Sequence, residues 1–374
     1  MNASLAVSLY NFDHGFDSAR LFRFGPYEFD VTQAHVEAAA RLPRHGLVHQ
    51  TWDENGHPVV EDQPVKHGEA GETAVVRLVD PLPPTQPLLG GPPDPGGFGV
   101  LCILLSFLTG RRVLRAEDRT TFDGMHYGER VVGENYFWTV GTWWPDLVAV
   151  EREGLGPALW ATVDGLAVRD LIGQTCYASA ALDLVVTRWA RSQPASIDPA
   201  LKSKINAAAA AAQAGIRAEL GDSALTEDIL PRVRGIFEPS AVARLAAYLG
   251  SKKMVSVPPT ANEMKRVRLL NAVRNRVVHA ADVPSDLNPD VTRRAEIAAV
   301  VRAVATNICC LRLCEAMGVC DWLVERSREE IQSFFAQGQY NGFRVFDEDY
   351  ASFIDRVRED WVTAMFGNQP EAGA

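Results

Sequence analysis

The stretch Leu269-Leu270-Asn271-Ala272-Val273-Arg274-Asn275-Arg276-Val277-Val278-His279 decides how the carboxy-terminal half of this 374-residue chain is read. Met264, Val267, Leu270, Val273 and Val277 recur at three- and four-residue steps, the spacing of one apolar helix face. Asn271, Asn275 and His279 recur at four-residue steps on another face, where side chains are neighbours. A solvated face is usually filled with Glu and Lys. Two amides and an imidazole flanked by guanidinium groups suit the holding of a phosphate and the movement of a proton.

Outward from this stretch, the same helical texture spreads over most of the second half. Leu166 to Arg191 is one periodic segment stopped by Pro194. Asp198-Pro199 opens another that runs through the alanine tract Ala207 to Ala212. Further helices are expected near 226–236, 239–250 and 260–280, then from Val291 to Met317 between Asn288-Pro289 and Gly318, and near 327–337 and 347–366.

Residues 1–160 read differently. Short alternating runs such as Leu21-Phe22-Arg23-Phe24 and Ala74 to Val79 predict strands, and Tyr136-Phe137-Trp138-Thr139-Val140 with Trp143-Trp144 is read as aromatic strand. Asp80 to Gly99 holds seven Pro and five Gly and is read as a surface loop. The apolar run Val100 to Leu108, stopped by Gly110 and Arg111-Arg112, fits a buried helix. The expected fold is therefore α+β in two domains, a β-rich domain over 1–160 and an all-helical bundle over 161–374.

Composition narrows the class. Hydrophobic residues make up 47% and charged residues 22%, as in a globular protein. The sequence reading finds no apolar run of transmembrane length and no basic, apolar leader after Met1, so a cytoplasmic protein without a membrane partner is expected. Six cysteines without a Cys-x-x-Cys pair, three of them (Cys309, Cys310, Cys314) in one predicted helix, read as buried thiols. His45, His49 and His57 have metal-like spacing, but Gly46 interrupts any helix and no Glu follows His45, so no metal and no cofactor is expected.

The net charge of −10 disfavours general nucleic-acid binding, yet the charge is unevenly placed. Lys252, Lys253, Lys265, Arg266, Arg268, Arg274 and Arg276 stand against Glu263 alone, a local +6, while Asp347 to Asp360 carries six carboxylates. A focused phosphate site fits this better than a long track. A solvated basic helix face fits the charges too.

Two other Arg-x(4 to 6)-His spacings occur, Arg44 to His49 and Arg119 to His126, both in turn-like sequence. Only Arg274-Asn275-Arg276-Val277-Val278-His279 lies in a helical pattern with a polar residue directly after the Arg. That motif in that setting resembles the HEPN superfamily of nucleotide-binding helical domains, over about residues 165–365. The amino-terminal region, through Leu105-Ser106-Phe107-Leu108-Thr109-Gly110-Arg111, faintly resembles the sensor portion of ApeA-type anti-phage HEPN proteins.

The resemblance implies a metal-independent endoribonuclease of toxin or anti-phage defence type. RNA supplies its own nucleophile, the 2′-OH. His279 would move the proton, Arg274 would stabilise charge growing on the phosphate, and Asn275 would orient the ring. Lys265, Arg268, Asn271 and Arg276 would contact RNA. Arg274 and His279 lie five positions apart, about 140° around an ideal helix. HEPN ribonucleases usually meet this by dimerising, so that two motif copies form one site. The expected partners are therefore RNA, a second copy of the chain, and a trigger ligand or phage protein. Two other readings stand beside this one: a binding module that holds RNA or a nucleotide without cutting, and a structural protein with a helical dimerisation domain.

Overall fold

The computed structural model describes residues 6–42, 50–52, 58–60, 71–82, 94, 96–116, 129–168, 170–193, 199–223, 226–227, 229–230, 240–280, 291–341 and 343–344. Within these, 50–52, 58–60, 199–202, 276–280, 291–296 and 343–344 are described as backbone only. The fold is mixed α+β, with a small antiparallel sheet near the amino terminus and helices after it.

The sheet starts from β1 (Ala6–Tyr10), β2 (Arg20–Phe24) and β3 (Tyr27–Val31). Helix α1 (Gln33–Ala40) and the small hairpin β4 (Gln50–Trp52) and β5 (Pro58–Val60) follow. With β6 (Glu72–Leu78) and β7 (Leu114–Arg115) the five-stranded order is β2-β3-β6-β1-β7. Alternation sets the faces: Tyr27, Phe29 and Val31 are buried while Glu28 and Asp30 between them are not. Phe24 pairs with Tyr27 across a two-residue turn at Gly25-Pro26. Gly25 has φ +57, and a Cβ there would sit 2.3 Å from the Trp144 ring, so both backbone and space require glycine.

Helix α2 (Phe98–Thr109) is buried along nearly its whole length, as its unbroken apolar run predicts. It ends at Gly110 in the left-handed region, where a Cβ would meet the Glu129 carbonyl at 2.1 Å. The aromatic segment is a correction to the sequence reading. Tyr136–Thr139 is a short helix, α3, and not a strand. Phe137 packs edge-on against Phe12 and Phe24, so this turn of helix presses its ring onto the sheet. Tyr136 and Phe137 are buried, whereas Trp138 remains 45% exposed.

A buried polar group sits beside the sheet. Asn11 accepts from both Nε and Nη2 of Arg111 at 3.1 and 3.0 Å, and Asp13 pairs with Arg130 at 3.0 Å. His14 is wholly buried, and its Nδ1 accepts from the Phe16 amide at 3.0 Å. Burial pushes the imidazole down to about 4, against a smaller upward pull from Asp13, so it is neutral at physiological pH.

Helices α4 (Leu147–Arg152) and α5 (Gly156–Gly165) lead into α6 (Leu171–Ser192), α7 (Pro199–Leu220), α8 (Ala241–Ser251), α9 (Ala261–Ala280), α10 (Val291–Met317) and α11 (Trp322–Gln337). The short hairpin β8 (Gln339–Tyr340) and β9 (Phe343–Arg344) follows. Helix α6 is central and packs on α5, α8, α9 and α10. The composition break near 160–165 falls inside α5, and the buried apolar side chains of the sheet and the helices form one continuous cluster. The expected helices over 226–236 and 347–366 lie largely or wholly outside the described residues.

Cys309, Cys310 and Cys314 are free and buried in α10, where burial raises their thiols. By length and composition, Ile297–Met317 of α10 is apolar enough to cross a membrane, contrary to the sequence reading. Two-thirds of it is buried within the protein against α4, α6 and α11, as in a core helix.

Candidate functional site

Helix α9, which carries the Arg-x4-His motif, has a defined start. Thr260 Oγ1 accepts from the Glu263 amide at 3.2 Å, and Glu263 Oε2 accepts from the Thr260 amide at 2.7 Å, a reciprocal capping box. The other Glu263 oxygen accepts from the Ser256 amide and hydroxyl at 3.0 and 3.2 Å. Burial alone would raise this carboxyl. The hydrogen bonds from Thr260 and Ser256 outweigh it and hold the group below its usual range. The signal Thr260-Ala261-Asn262-Glu263 stands in the sequence and was missed there.

The apolar face of α9 is buried as its spacing predicts: Val267, Leu270 and Val273 are at 1% exposure or less, joined by Leu269. Met264 packs on the edge of this core. The polar positions diverge around the helix. Arg274 is half-buried and turns toward α6, where its guanidinium donates to the Asp183 carboxylate. Asn275, the next residue, is exposed. The α9 backbone is helical through His279 to Ala280. The side chains of Arg276, Val277 and His279 lie outside the described residues, as do His45, His49, His57 and the acidic stretch from Asp347 to Asp360.

Around the Arg274–Asp183 pair, Asn271 on α9 and Arg244 on α8 line a small pocket floored by Leu182, Leu245 and Leu270. Its volume is about 20 Å³, room for roughly one water-sized group at about 10–15 Å³ each. Asn271 Oδ1 is buried there and, among the described residues, has no hydrogen-bond partner. Burial raises the Asp183 carboxyl above its usual range. The Arg274 ion pair and hydrogen bond, and the charge of Arg244, pull it back without cancelling that rise. Two guanidinium groups against one carboxylate leave the pocket at +1.

The other basic residues do not gather at this point. Arg266 donates to the Phe335 carbonyl of α11 at 2.6 Å, and Lys252 donates to Glu315 of α10 at 2.5 Å. Lys265 is half-buried and Arg268 is exposed. The +6 segment is thus shared out among three neighbouring helices. Asp183 and Arg244 were missed by the sequence reading. The signal for Asp183 was a lone carboxylate within Ala181-Leu182-Asp183-Leu184-Val185-Val186, an apolar helical run in which a charge requires a partner.

The pocket is a guanidinium fork presented by a rigid helix and occupied by a carboxylate. Arginine guanidinium groups pair with carboxylates and phosphates through the same N–H edge. No family model matches this chain, no curated protein is similar to it in sequence, and no solved structure matches it.

Proposed function

We propose that this chain is a metal-independent endoribonuclease of HEPN type, with a role in toxin or anti-phage defence inside the cell. The observation that carries the reading is Arg274. It sits on a capped, well-packed helix, its half-buried guanidinium engaged by an anion, with the Asn271 amide in the same pocket. In this reading the RNA phosphate takes the place of the Asp183 carboxylate on Arg274, and His279 removes the 2′-OH proton and returns a proton to the leaving 5′ oxygen. The products are a 2′,3′-cyclic phosphate and a 5′-hydroxyl. Positions 274 and 279 lie about 140° apart on one continuous helix. The composite site therefore draws on two chains in a homodimer. The amino-terminal region built on the five-stranded sheet serves as the sensing part that answers to a trigger ligand or phage protein.

One observation favours a second reading, a HEPN-like module that binds RNA or a nucleotide without cutting it. The pocket beside Arg274 admits roughly one water-sized group while Asp183 fills the fork. An RNA cleavage assay with and without EDTA, with end-group analysis of the products, separates the two. Cyclic-phosphate ends formed in EDTA and lost in His279→Ala support the nuclease. RNA binding without cleavage supports the module.

A further inference from the structure

A second and larger cleft lies where α2 and the segment at Glu129–Val131 meet α5, α6 and α10. Its volume is about 50 Å³, room for roughly four water-sized groups. The walls include Phe107, Val131, Ala161 and Leu166, and two opposite charges, Arg302 and Glu129, face into it. Each charge is held in place by neighbouring side chains. Arg302 Nη1 donates to Gln174 Oε1 at 2.9 Å. Glu129 Oε2 accepts from Asn307 Nδ2 at 3.2 Å and from the Tyr340 hydroxyl at 3.3 Å, and Asn307 and Tyr340 are themselves 2.5 Å apart.

What is left over is informative. Arg302 Nε is buried and, among the described residues, has no acceptor. A buried guanidinium N–H without a partner is costly, and such groups are normally satisfied by protein, water or ligand. Arg302 and Glu129 line the same cleft, yet each is engaged by other side chains, Gln174 for the one and Asn307 and Tyr340 for the other. A simple anion would satisfy Arg302 but face the Glu129 carboxylate. A simple cation would do the reverse. A small molecule with a negative end and a positive end, on a short apolar body, satisfies both and matches the cleft's zero net charge.

We propose that this cleft binds a small zwitterionic metabolite of the amino-acid class, its carboxylate on Arg302 and its ammonium on Glu129. The limited volume favours the smallest member of the class, glycine, over alanine and serine. The site is separate from the Arg274 pocket and stands whether or not the chain cleaves RNA.

The test is isothermal titration calorimetry on the full chain with glycine, alanine and serine, alongside acetate, methylamine and inorganic phosphate. The expected result is one amino acid bound per chain, about tenfold or more tighter than acetate or methylamine, from two charge-assisted contacts in place of one. Arg302→Met and Glu129→Gln should each weaken that binding by about tenfold or more. Ala161→Leu should block it sterically while leaving both charges intact. Each variant is checked for a cooperative melt by circular dichroism, and the three changes differ enough that one folded variant suffices. No binding of any of the three amino acids at millimolar concentration overturns the proposal. So does undiminished binding in a folded variant, or phosphate binding tighter than every amino acid, which would make the cleft a plain anion site.

Discussion

The carboxylate of Asp183 on α6 holds the guanidinium of Arg274 on α9 across 91 residues of sequence. The pair is half-exposed, so its worth to stability is small, about 1 kcal/mol or less. On the proposed function its effect is larger, because the same guanidinium edge would have to serve a carboxylate and a phosphate together. Asp183→Asn removes the competing charge and keeps the shape. It should raise RNA affinity several-fold, read by fluorescence anisotropy at fixed salt, with the melting temperature moved by a few degrees at most. Unchanged or weaker binding in that variant would show that Asp183 does not compete with phosphate.

Removal of the proposed catalytic groups should act differently. His279→Ala and Arg274→Ala should each lower RNA cleavage by about 10²-fold or more, the usual weight of a positioned acid–base or phosphate-stabilising group. Gel-based cleavage rates in EDTA provide the measurement. Restoration of activity only by Mg²⁺ or Mn²⁺ would refute the internal 2′-OH mechanism.

Assembly is the third expectation. Positions 274 and 279 diverge around α9, so the active species should be a homodimer, and light scattering at micromolar concentration should give twice the chain mass of 41.0 kDa. An active monomer would contradict the composite site.

His14 makes stability depend on acid. Its folded value of about 4 lies below its ordinary 6.5, so the unfolded chain binds the extra proton first. Stability is full above about pH 6.5 and declines as pH falls toward 4, by up to about 3 kcal/mol. Urea melts of the protein and of His14→Gln at pH 7 and pH 5 should show a smaller pH effect in the variant. Glu263 works in the same direction at lower pH. Its carboxyl is held below 4.5, so its contribution is present above that value and is lost on further acidification.

The helical half was legible from punctuation. Pro194, Pro199, Pro289 and Gly318 bracket α6, α7 and α10, and the three- and four-residue spacing of α9 named its buried face. The segment around Tyr136 was not legible. Four residues are too few to show a helical period, and its conformation is set by the aromatic rings of the sheet beneath it. The partners of Arg274 were hidden for another reason. Asp183 and Arg244 come from other helices, and only tertiary packing brings them to one pocket. Arg302 was likewise an ordinary charge on a long helix until Gln174 and Glu129 were seen beside it.

One carboxylate joins the segment ahead of α3 to the start of α11. Asp321 Oδ1 caps α11 by accepting from the Leu323 amide at 2.8 Å, and the same oxygen accepts from the Gly133 amide at 2.9 Å. Gly133 in turn lies so close to Trp322 that a Cβ would meet the indole nitrogen at 2.4 Å. Fraying the first turn of α11 therefore strips a partner from the segment ahead of α3, and displacing that segment uncaps α11. Heating should melt the sheet and α11 together, as a single calorimetric peak whose midpoint shifts as a whole when Asp321 is changed to Ala.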